Sequence, residues 1–584
     1  MCRIAGIIDK QNIDLGYTIA AMRDSMAHGG PDHAGIYTDD AVRLALGHRR
    51  LSIIDLSENG NQPMRSNDGK LIIAFNGEIY NFRELRDELK DFYSFHTHSD
   101  TEVILAAYAK WGVGCFPKLK GMFALALYDV QKGEIILARD PSGIKPLYYS
   151  ITEESLYFAS EVRAFKALKK WPERKDWKIY FLTYGFLPEP ITTLEGVEPL
   201  ERGNCIVVNV HTLASRKEAY WQDDYSITVH SRTEALNRVR VTLDEAVKRH
   251  LISDAPIGLF LSGGIDSSLL TLIADKVGTS KLHTLSIVFD DATYSEEAYQ
   301  NVIAQKVNSD HKAFRLTKEL YLEAMPDILK AMDQPTSDGV NTYFICKFAK
   351  QYGLKAVLSG LGADELFGGY ASFSRGGMVN RLKSVPAALL HATEYLPRDK
   401  YKKISFLSRK DAVGNYLFNR GYFSTIETAQ VLGTGSKEVS DKLKEIHVPG
   451  FVNELGYENQ TSYLERSLYM QGQLLKDTDM MSMWHSIEVR VPFLDVELVR
   501  LANHISEDIK FNGRPKSLLV DAYTDILPRE IWDRKKQGFV FPFQAWMNGK
   551  ETSSFHIANK KMTDKYQAGK LNWSRYWTYL IANA

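Results

Sequence analysis

Two short segments of this 584-residue chain combine glycine, serine and aspartate in a pattern that could bind phosphate. The first is LSGGIDSS at residues 261–268. It follows an apolar run at 257–261, which predicts a buried strand, and it precedes apolar residues at helical spacing that stop at Gly278. A strand, a glycine turn and a helix N-terminus point backbone N–H groups at an anion, and Ser262, Ser267 and Ser268 add hydroxyl donors. The segment lacks the Gly-Lys-Ser/Thr of the usual P-loop and the Gly-x-Gly-x-x-Gly of a dinucleotide site.

The second segment, KAVLSGLGADELFGGY at residues 355–370, repeats this arrangement. We therefore expect Asp266 and Asp364 at the carboxyl ends of parallel strands, where open α/β sheets bind ligands. Two carboxylates together with phosphate oxygens make a magnesium site, whereas either aspartate alone would be interpreted as a helix N-cap. SGGIDSS also resembles the pyrophosphate loop of ATP pyrophosphatases, which cleave ATP between its α and β phosphates.

A third candidate lies at the start of the chain. Cys2 follows Met1, so removal of Met1 would give the cysteine a free α-amine. That amine, with a pKa of about 7.7–8.0, can act as the base for the side-chain thiol of the same residue. A cysteine at position two is more often only a small residue, and the interpretation depends on the segments that follow.

Those segments predict a layered domain with polar clusters at the ends of its elements. Residues 3–9, 42–46, 71–75, 122–128 and 135–138 are predicted as strands, and 82–89 and 101–111 as helices, which suits an αββα domain. Asn76 and Gly77 end a predicted strand with a side-chain amide and a backbone N–H, a pair that can form an oxyanion hole. Arg50 and Asp100 could hold the carboxylate and the ammonium of an α-amino acid. Asp100, or Ser99 before it, could equally cap the helix that follows.

Composition excludes several classes of function. A hydrophobic content of 44% is typical of globular proteins, and the length predicts two or three domains. Lysine plus arginine number 72, as do aspartate plus glutamate, so no net basic field favours nucleic acid. The four cysteines form no Cys-x-x-Cys pair, and neither a signal peptide nor an apolar run of membrane length is present. The sequence predicts a cytoplasmic protein that binds neither nucleic acid nor membrane.

A series of motifs from residue 2 to about 540 resembles the glutamine-hydrolysing asparagine synthetase family. In order they are MCRIAGIID, GHRRLSIIDLS, FNGEIYN, THSDTEVIL, ARDPSGIKPLYY, FASEVRA, FLSGGIDSS, SGLGADELFGGY, SIEVRVPFLD and RKKQGF. The resemblance implies an N-terminal-nucleophile glutaminase domain at residues 2–210. It also implies a Rossmann-like ATP pyrophosphatase domain with helical additions at residues 230–584, and an ammonia passage between the two.

The resemblance also implies roles for individual residues. In the first domain, Cys2 resembles the nucleophile, Asn76 and Gly77 the oxyanion hole, and Arg50, Glu78 and Asp100 the holders of glutamine. In the second, Lys536 resembles a lysine near the developing negative charge, and Asp266 and Asp364 resemble the magnesium ligands. The residues that resemble contacts to ATP are Leu261, Ser262, Gly264, Asp266, Ser267, Ile287, Ser359 and Gly360.

The reaction that the resemblance implies uses ATP and Mg²⁺ to adenylate a carboxylate, which ammonia from glutamine then converts into an amide. Three residues depart from the family pattern: Arg3 replaces a usual glycine, Gly29 a usual arginine, and Leu361 a usual acid. The first two changes either move one guanidinium group from position 29 to position 3 or are unrelated to each other. Leucine makes the wall of the site apolar, which favours an acceptor with more carbon surface than aspartate.

Several alternatives remain open at this stage. Asparagine synthesis is the favoured reaction, and amidation of another carboxylate is the alternative. A sugar acid in polysaccharide biosynthesis is one such acceptor, because residues 333–343 and SGLG resemble a subgroup found among polysaccharide-associated members. Two less favoured functions are RNA modification and ammonia-dependent synthesis with an inactive first domain. The oligomeric state is open, with a homodimer as one alternative.

Overall fold

The computed structural model describes residues 2–278, 281–291, 293–535, 541–547 and 560–583. Its N-terminal part contains two six-stranded antiparallel sheets. In spatial order, the first comprises β10 (Glu198–Pro199), β8 (Tyr148–Ile151), β9 (Ser155–Ala159), β1 (Arg3–Asp9), β3 (Leu44–Arg50) and β2 (His33–Asp39). The second comprises β12 (Ser215–Ala219), β11 (Asn204–Asn209), β7 (Glu134–Arg139), β6 (Gly121–Asp129), β5 (Leu71–Ile79) and β4 (Met64–Arg65).

The two sheets pack face to face because alternate residues of their strands are apolar and point into one shared core. Ile4 and Leu46 of the first sheet and Ile72 and Ala124 of the second are all buried in that core. Helix Leu15–Asp24 covers the outer face of the first sheet, and helix Asp100–Trp111 packs on β5 of the second. The predicted αββα layering is confirmed. Two predicted strands end too early: β3 continues to Arg50 rather than residue 46, and β5 continues to Ile79, so Asn76 and Gly77 lie inside the strand rather than at its end.

The C-terminal part is built on a five-stranded parallel sheet. Its spatial order is β15 (Asp310–Arg315), β14 (His283–Val288), β13 (Ile257–Phe260), β16 (Ala356–Leu358) and β17 (Glu488–Arg490). From β13 the chain moves outward to β14 and β15, then returns to place β16 on the other side of β13. The strand order therefore reverses between β13 and β16, which is where a parallel α/β sheet forms its ligand crevice.

Helices cover both faces of this sheet and extend into a large helical addition after β16. Helix Arg232–His250 has Ser231 as its N-cap, whose side chain accepts from the backbone N–H of Glu234. Residues 457–484 form one continuous helical stretch whose central part, Glu465–Leu474, is π-helical. None of the described helices combines the length and apolar character needed to cross a bilayer.

The described α-helices have the following bounds: Leu15–Asp24, Phe82–Leu89, Asp100–Trp111, Arg163–Leu168, Trp177–Tyr184, Arg232–His250, Ile265–Val277, Glu297–Lys306, Lys318–Ala331, Val340–Gln351, Ala363–Phe367, Gly376–Lys383, Ala387–Ala392, Asp399–Lys402, Ala412–Arg420, Thr425–Leu432, Ser436–Leu443, Tyr457–Leu464, Leu475–Trp484, Val496–His504, Glu507–Lys510, Ser517–Asp521, Arg529–Trp532, Phe543–Trp546, Lys560–Gln567 and Trp573–Ala582.

Candidate active site

A cavity of about 260 Å³ lies at the point where the strand order of the parallel sheet reverses. Its walls come from β14, from the segments that follow β13 and β16, from Val489 of β17, and from helices Val340–Gln351 and Leu475–Trp484 with the residues just before each. Eight of the predicted nucleotide and metal residues line it: Leu261, Ser262, Asp266, Ser267, Ile287, Ser359, Gly360 and Asp364. The ninth, Gly264, lies in the adjacent turn, immediately before helix Ile265–Val277.

The turn after β13 is held by its own serines. The backbone N–H of Ser262 donates to Ser267 Oγ at 3.1 Å, and the two hydroxyl oxygens are 2.9 Å apart. Gly360 lies close to the start of the following helix, since a Cβ there would be 2.9 Å from the Cβ of Asp266. The two glycine turns therefore pack against each other, as a crevice shared by two neighbouring strands requires.

The two predicted metal ligands share one cation. Lys516 Nζ lies 2.7 Å from both carboxylate oxygens of Asp266 and also forms an ion pair with Asp364. These carboxylates raise the pKa of Lys516 despite its burial. The ammonium shows that the pair can hold positive charge between them, and two carboxylates beside phosphate oxygens suit Mg²⁺. Within the described residues, no group of three or more His, Cys, Asp or Glu side chains could hold a metal ion by itself.

Besides the two predicted metal ligands, the wall of the cavity is acidic and partly apolar. Asp338, Glu365 and Asp477 line it, as does the half-buried Leu361. Burial and the neighbouring Asp364 raise the pKa of Glu365 to about 8, and Tyr370 Oη donates to Glu365 Oε1 at 2.6 Å. Burial and Asp338 also raise the pKa of Asp477 well above its usual value. The predicted catalytic lysine, Lys536, lies outside the described residues.

The N-terminal domain brings Cys2 and Asn76 together from two different sheets. The backbone N–H of Cys2 donates to Asn76 Oδ1 at 3.2 Å, and Cys2 Sγ is 4.0 Å from the carbonyl of Leu51. Asn76 Nδ2 is buried without a hydrogen-bond partner among the described residues, so it is available to an oxyanion. Gly77 has no room for a side chain, because a Cβ would lie 2.1 Å from the carbonyl oxygen of Met122. Burial raises the pKa of the Cys2 thiol, so its ionisation requires a base nearby.

The three predicted glutamine holders have different partners. Arg50 donates to the carbonyls of Asp55 and Ser57 and to Asn61 Oδ1. Asp100 Oδ2 accepts from the backbone N–H of Ile79 at 2.9 Å, and burial raises the pKa of Asp100 to about 6. Asp100 is the first residue of its helix, and Ser99 is the N-cap that accepts from the N–H of Thr101.

Glu78, the third predicted holder, faces the second domain. Its carboxylate is 3.4 Å from Arg490 of β17, and burial together with Glu488 raises the pKa of Glu78. The neighbouring residue of β17, Val489, lines the cavity of the second domain. Strand β17 therefore reaches from the region of Glu78 to that cavity.

Arg3 and Gly29 are directly related in space. A Cβ at Gly29 would lie 2.6 Å from Cγ of Arg3, so the absence of a side chain at 29 makes room for the arginine. The Arg3 guanidinium is fully buried and forms ion pairs with Glu161 at 2.5 Å and with Asp479 of the second domain at 2.9 Å. The two departures are therefore in contact, and Arg3 places a cation at the interface between the domains.

Comparison with known proteins agrees with this arrangement. The glutamine amidotransferase domain model matches residues 1–221, and the asparagine synthase model matches residues 238–567. Asparagine synthetase (glutamine-hydrolyzing) 1 of Bacillus subtilis is 33% identical over 584 residues, covering 97% of this chain and 91% of that protein. The chain belongs to the glutamine-hydrolysing asparagine synthetase family.

Membership in this family makes the protein a glutamine-dependent, ATP-requiring ligase, as the motifs predict. Asparagine synthetase (glutamine-hydrolyzing) 3 of Bacillus subtilis is 30% identical and covers 92% of this chain and 87% of that protein. A relative with a different name, amidase chry2 of Gibberella zeae, is 27% identical and covers 90% of this chain and 85% of that protein. Relatives that match most of this chain thus carry more than one name.

The structure adds residues to the site that the sequence alone did not indicate. Lys516 is 250 positions from Asp266 and stands in no recognisable motif, so only the fold brings them together. Asp338 lies within a segment noted for its resemblance to a subgroup, but nothing in the sequence pairs it with Asp477. The acidic character of this part of the cavity could not have been predicted from spacing.

Proposed function

We propose that this protein amidates a carboxylate with ammonia released from glutamine, consuming ATP and forming AMP and pyrophosphate. The observation that carries the proposal is the cavity at the sheet reversal, where a serine-glycine turn adjoins two carboxylates that share a cation. A phosphate turn without the P-loop lysine suits pyrophosphate as the leaving group. The N-terminal domain, with Cys2 beside Asn76, would supply the ammonia.

The first half-reaction is glutamine hydrolysis at Cys2. We propose that the thiol attacks the glutamine amide, with Asn76 Nδ2 and the Gly77 N–H stabilising the oxyanion, and Arg50, Glu78 and Asp100 holding the amino acid. The α-amine that removal of Met1 would create would serve as the base for the thiol. Donors that are already in place before the reaction stabilise the developing charge without further reorganisation.

The second half-reaction takes place in the cavity of the second domain. Leu261, Ile287, Ser359 and Gly360 would contact the adenosine, and the turn containing Ser262, Gly264 and Ser267 would hold the phosphates. Asp266 and Asp364 would hold Mg²⁺ in place of the Lys516 ammonium. The metal, when bound, neutralises phosphate charge as pyrophosphate departs. Lys516 would then be released toward the phosphate oxygens, and we assign Lys536 a similar role near the developing charge.

Ammonia would pass between the two sites along β17. On this strand, Arg490 lies next to Glu78, and Val489 lies in the wall of the cavity at the sheet reversal, which we call the ATP cavity. A closed route is useful because free ammonia in water near neutral pH is mostly ammonium, which is not nucleophilic.

Aspartate is our first candidate for the acceptor, since named relatives are asparagine synthetases. The alternative is another carboxylate, such as a sugar acid, and a specific observation favours it. The described residues that line the acceptor part of the cavity include Asp338, Glu365 and Asp477 but no arginine or lysine. A second carboxylate on the acceptor, as aspartate has, would find no cation among them. Hydroxyl or ammonium groups would find acceptors.

We further propose that the protein acts in the cytoplasm on small molecules. The domain limits 2–210 and 230–584 and a homodimeric state remain predictions.

A screen for AMP release over candidate carboxylates, with mass spectrometry of the products, tests this function. AMP and pyrophosphate are expected, and ADP with phosphate would contradict the assignment. Asp266→Asn and Asp364→Asn should each lose pyrophosphate release while glutamine hydrolysis continues. Cys2→Ala should show the reverse pattern, losing glutamine use while synthesis from ammonium salts persists.

A further inference from the structure

A second polar cavity, of about 230 Å³, lies beside the ATP cavity, where helix Trp177–Tyr184 meets the helical addition. Its walls include Tyr184, Lys403, Tyr416, Arg420, Gln473 and Arg575. The π-helical stretch Glu465–Leu474 contributes to both cavities, with Gln473 in this one and Leu474 in the ATP cavity. Such π-helical turns inside longer helices occur frequently at functional sites.

Several polar atoms of this second cavity are buried without a partner. Tyr184 Oη, Tyr416 Oη and Gln473 Oε1 form no hydrogen bond within the described residues. These side chains are 1%, 2% and 1% exposed. Native structures satisfy nearly all buried polar groups, so unpaired groups that converge on one cavity indicate a polar occupant.

The cavity also carries a cation without a counter-ion in contact. Arg420 is paired with Glu465 at 2.8 Å, and Arg575 is paired with Glu427 at 3.0 Å and with Asp399. The side chain of Lys403, by contrast, makes no hydrogen bond or ion pair within the part of the chain that the structure describes. Burial of the ammonium, together with the nearby Arg575 and Arg375, lowers the pKa of Lys403 to about 8, although Asp399 and Glu427 act in the opposite direction. An anion next to Lys403 would relieve this repulsion.

We propose that this second cavity binds an oxyanion, a phosphate or carboxylate group of a small molecule, with Lys403 as its principal charged contact. The hydroxyls of Tyr184 and Tyr416 would donate to the anion, and Gln473 Oε1 would accept from a hydroxyl of the same ligand. Hydrogen bonds between an ionised acceptor and a buried cation or hydroxyl are among the stronger polar contacts in proteins. This site goes beyond the proposed amidation and does not depend on it.

The second cavity is in contact with the acceptor part of the ATP cavity. Gln473 Nε2 donates to Ser337 Oγ at 2.8 Å, and Ser337 Oγ donates to Tyr422 Oη at 3.0 Å. Asp338, the next residue, lines the ATP cavity. The Arg420 guanidinium also lies 4.4 Å from the ring centre of Tyr370, which lines the ATP cavity. The bound oxyanion could therefore be the far end of the acceptor itself or a separate small anion.

Calorimetric titration of the full-length protein with inorganic phosphate tests the site. Wild type and Lys403→Arg should bind phosphate, whereas Lys403→Met should bind it at least about tenfold more weakly. Lys400→Met is the matched control, because Lys400 is exposed and lies three positions away. The phosphate turn after β13 is unchanged in all four proteins, so only the difference between them reports on the second cavity. The melting temperature of each variant confirms that it is folded.

Equal phosphate affinity in wild type, Lys403→Met and Lys400→Met would overturn the proposal and leave an aqueous cavity only. No ATP, glutamine or acceptor is present in the titration, so failure of the amidation proposal would not affect its result. To decide whether the anion belongs to the acceptor or is a separate molecule, ammonia-dependent AMP release is measured with an active acceptor in the presence of phosphate. Competition between phosphate and the acceptor, lost in Lys403→Met, would place the acceptor's own anionic group here. A change in kcat without competition would indicate a free anion.

Discussion

Leu361 stands between Gly360 and Gly362 in the wall of the ATP cavity, where the family usually has an acid. If ATP and the acceptor bind in this cavity as proposed, an acid in that position would lie close to phosphates and to a carboxylate, so it would be tolerated only if it bound ammonium or removed a proton. General-base assistance of this kind contributes roughly 10²–10⁴-fold in rate. Leucine supplies apolar surface instead, and apart from the predicted metal ligands Asp266 and Asp364 the acids in the described wall are Asp338, Glu365 and Asp477.

We therefore expect weak synthesis of asparagine by the wild type and a gain of about tenfold or more in Leu361→Glu. The measurement is ammonia-dependent asparagine formation from aspartate and ATP. Leu361→Gln, which has similar size but no acid, should show no gain. Ordinary efficiency of the wild type with aspartate would mean that Leu361 carries no information about the acceptor.

The buried carboxyl group of Glu365 should make the free energy of unfolding depend on pH. Its pKa in the folded protein is raised from 4.5 to about 8, chiefly by burial. The folded state thus binds this proton more tightly than the unfolded state, so the stability contributed by the protonated group is fully present below about pH 4.5 and is lost as pH approaches 8. Glu365→Gln keeps an acceptor for Tyr370 Oη but cannot ionise.

The free energy of unfolding of wild type, relative to Glu365→Gln, should therefore fall between about pH 4.5 and 8. Denaturant unfolding of both proteins across this range measures the difference, in which the other titrating groups cancel. A difference that stays constant with pH would show that Glu365 is ionised in the folded protein at neutral pH.

Much of the fold could be predicted because glycine turns mark where the strands and helices of the second domain begin and end. The strand, turn and helix around residues 257–278 have clear apolar periods, and the structure places that strand and helix at Ile257–Phe260 and Ile265–Val277. The end of β5 was harder to predict, because a buried antiparallel strand can continue through a polar residue and a glycine such as Asn76 and Gly77. Lys516 and Gln473 could not be found, since their partners come from distant segments and their roles arise only from packing.

The contact between β1 and the turn at Gly29 leads to a prediction about two elements. Gly29→Ala should destabilise the protein by about 1–3 kcal/mol, because its Cβ would lie 2.6 Å from Cγ of Arg3. Arg3→Ala alone should destabilise by about 3–5 kcal/mol, since Glu161 and Asp479 would lose a buried partner. In the double variant, the Cβ at position 29 no longer overlaps with an arginine side chain. Adding Gly29→Ala to Arg3→Ala should therefore lower the free energy of unfolding only slightly. Denaturant unfolding of the four proteins measures this coupling, and additive effects would show that the two positions are independent.

At the scale of the whole molecule, the two domains meet through buried ion pairs. Asp479, on helix Leu475–Trp484, accepts from Lys145 Nζ at 3.0 Å and pairs with Arg3 at 2.9 Å, so two cations of the first domain converge on one carboxylate of the second. Arg490 makes a comparable contact with Glu78. Arg3 directly follows the proposed nucleophile, and Asp477 on the same helix lines the ATP cavity. This helix therefore contacts the residue after the proposed nucleophile and also lines the proposed ATP cavity.

Asp479→Asn should loosen this connection. Removing one charge leaves Arg3 and Lys145 buried with an incomplete partner, a change that typically costs about 3–5 kcal/mol. We expect a lower melting temperature and a higher ratio of glutamate to AMP formed, because ammonia would escape from a poorly sealed interface. Asp525→Asn is the control, since Asp525 pairs with Arg240 in an exposed contact within the second domain. If Asp479→Asn keeps the wild-type product ratio and melting temperature, the ion pairs of Asp479 with Arg3 and Lys145 do not fix the relative position of the domains for ammonia transfer.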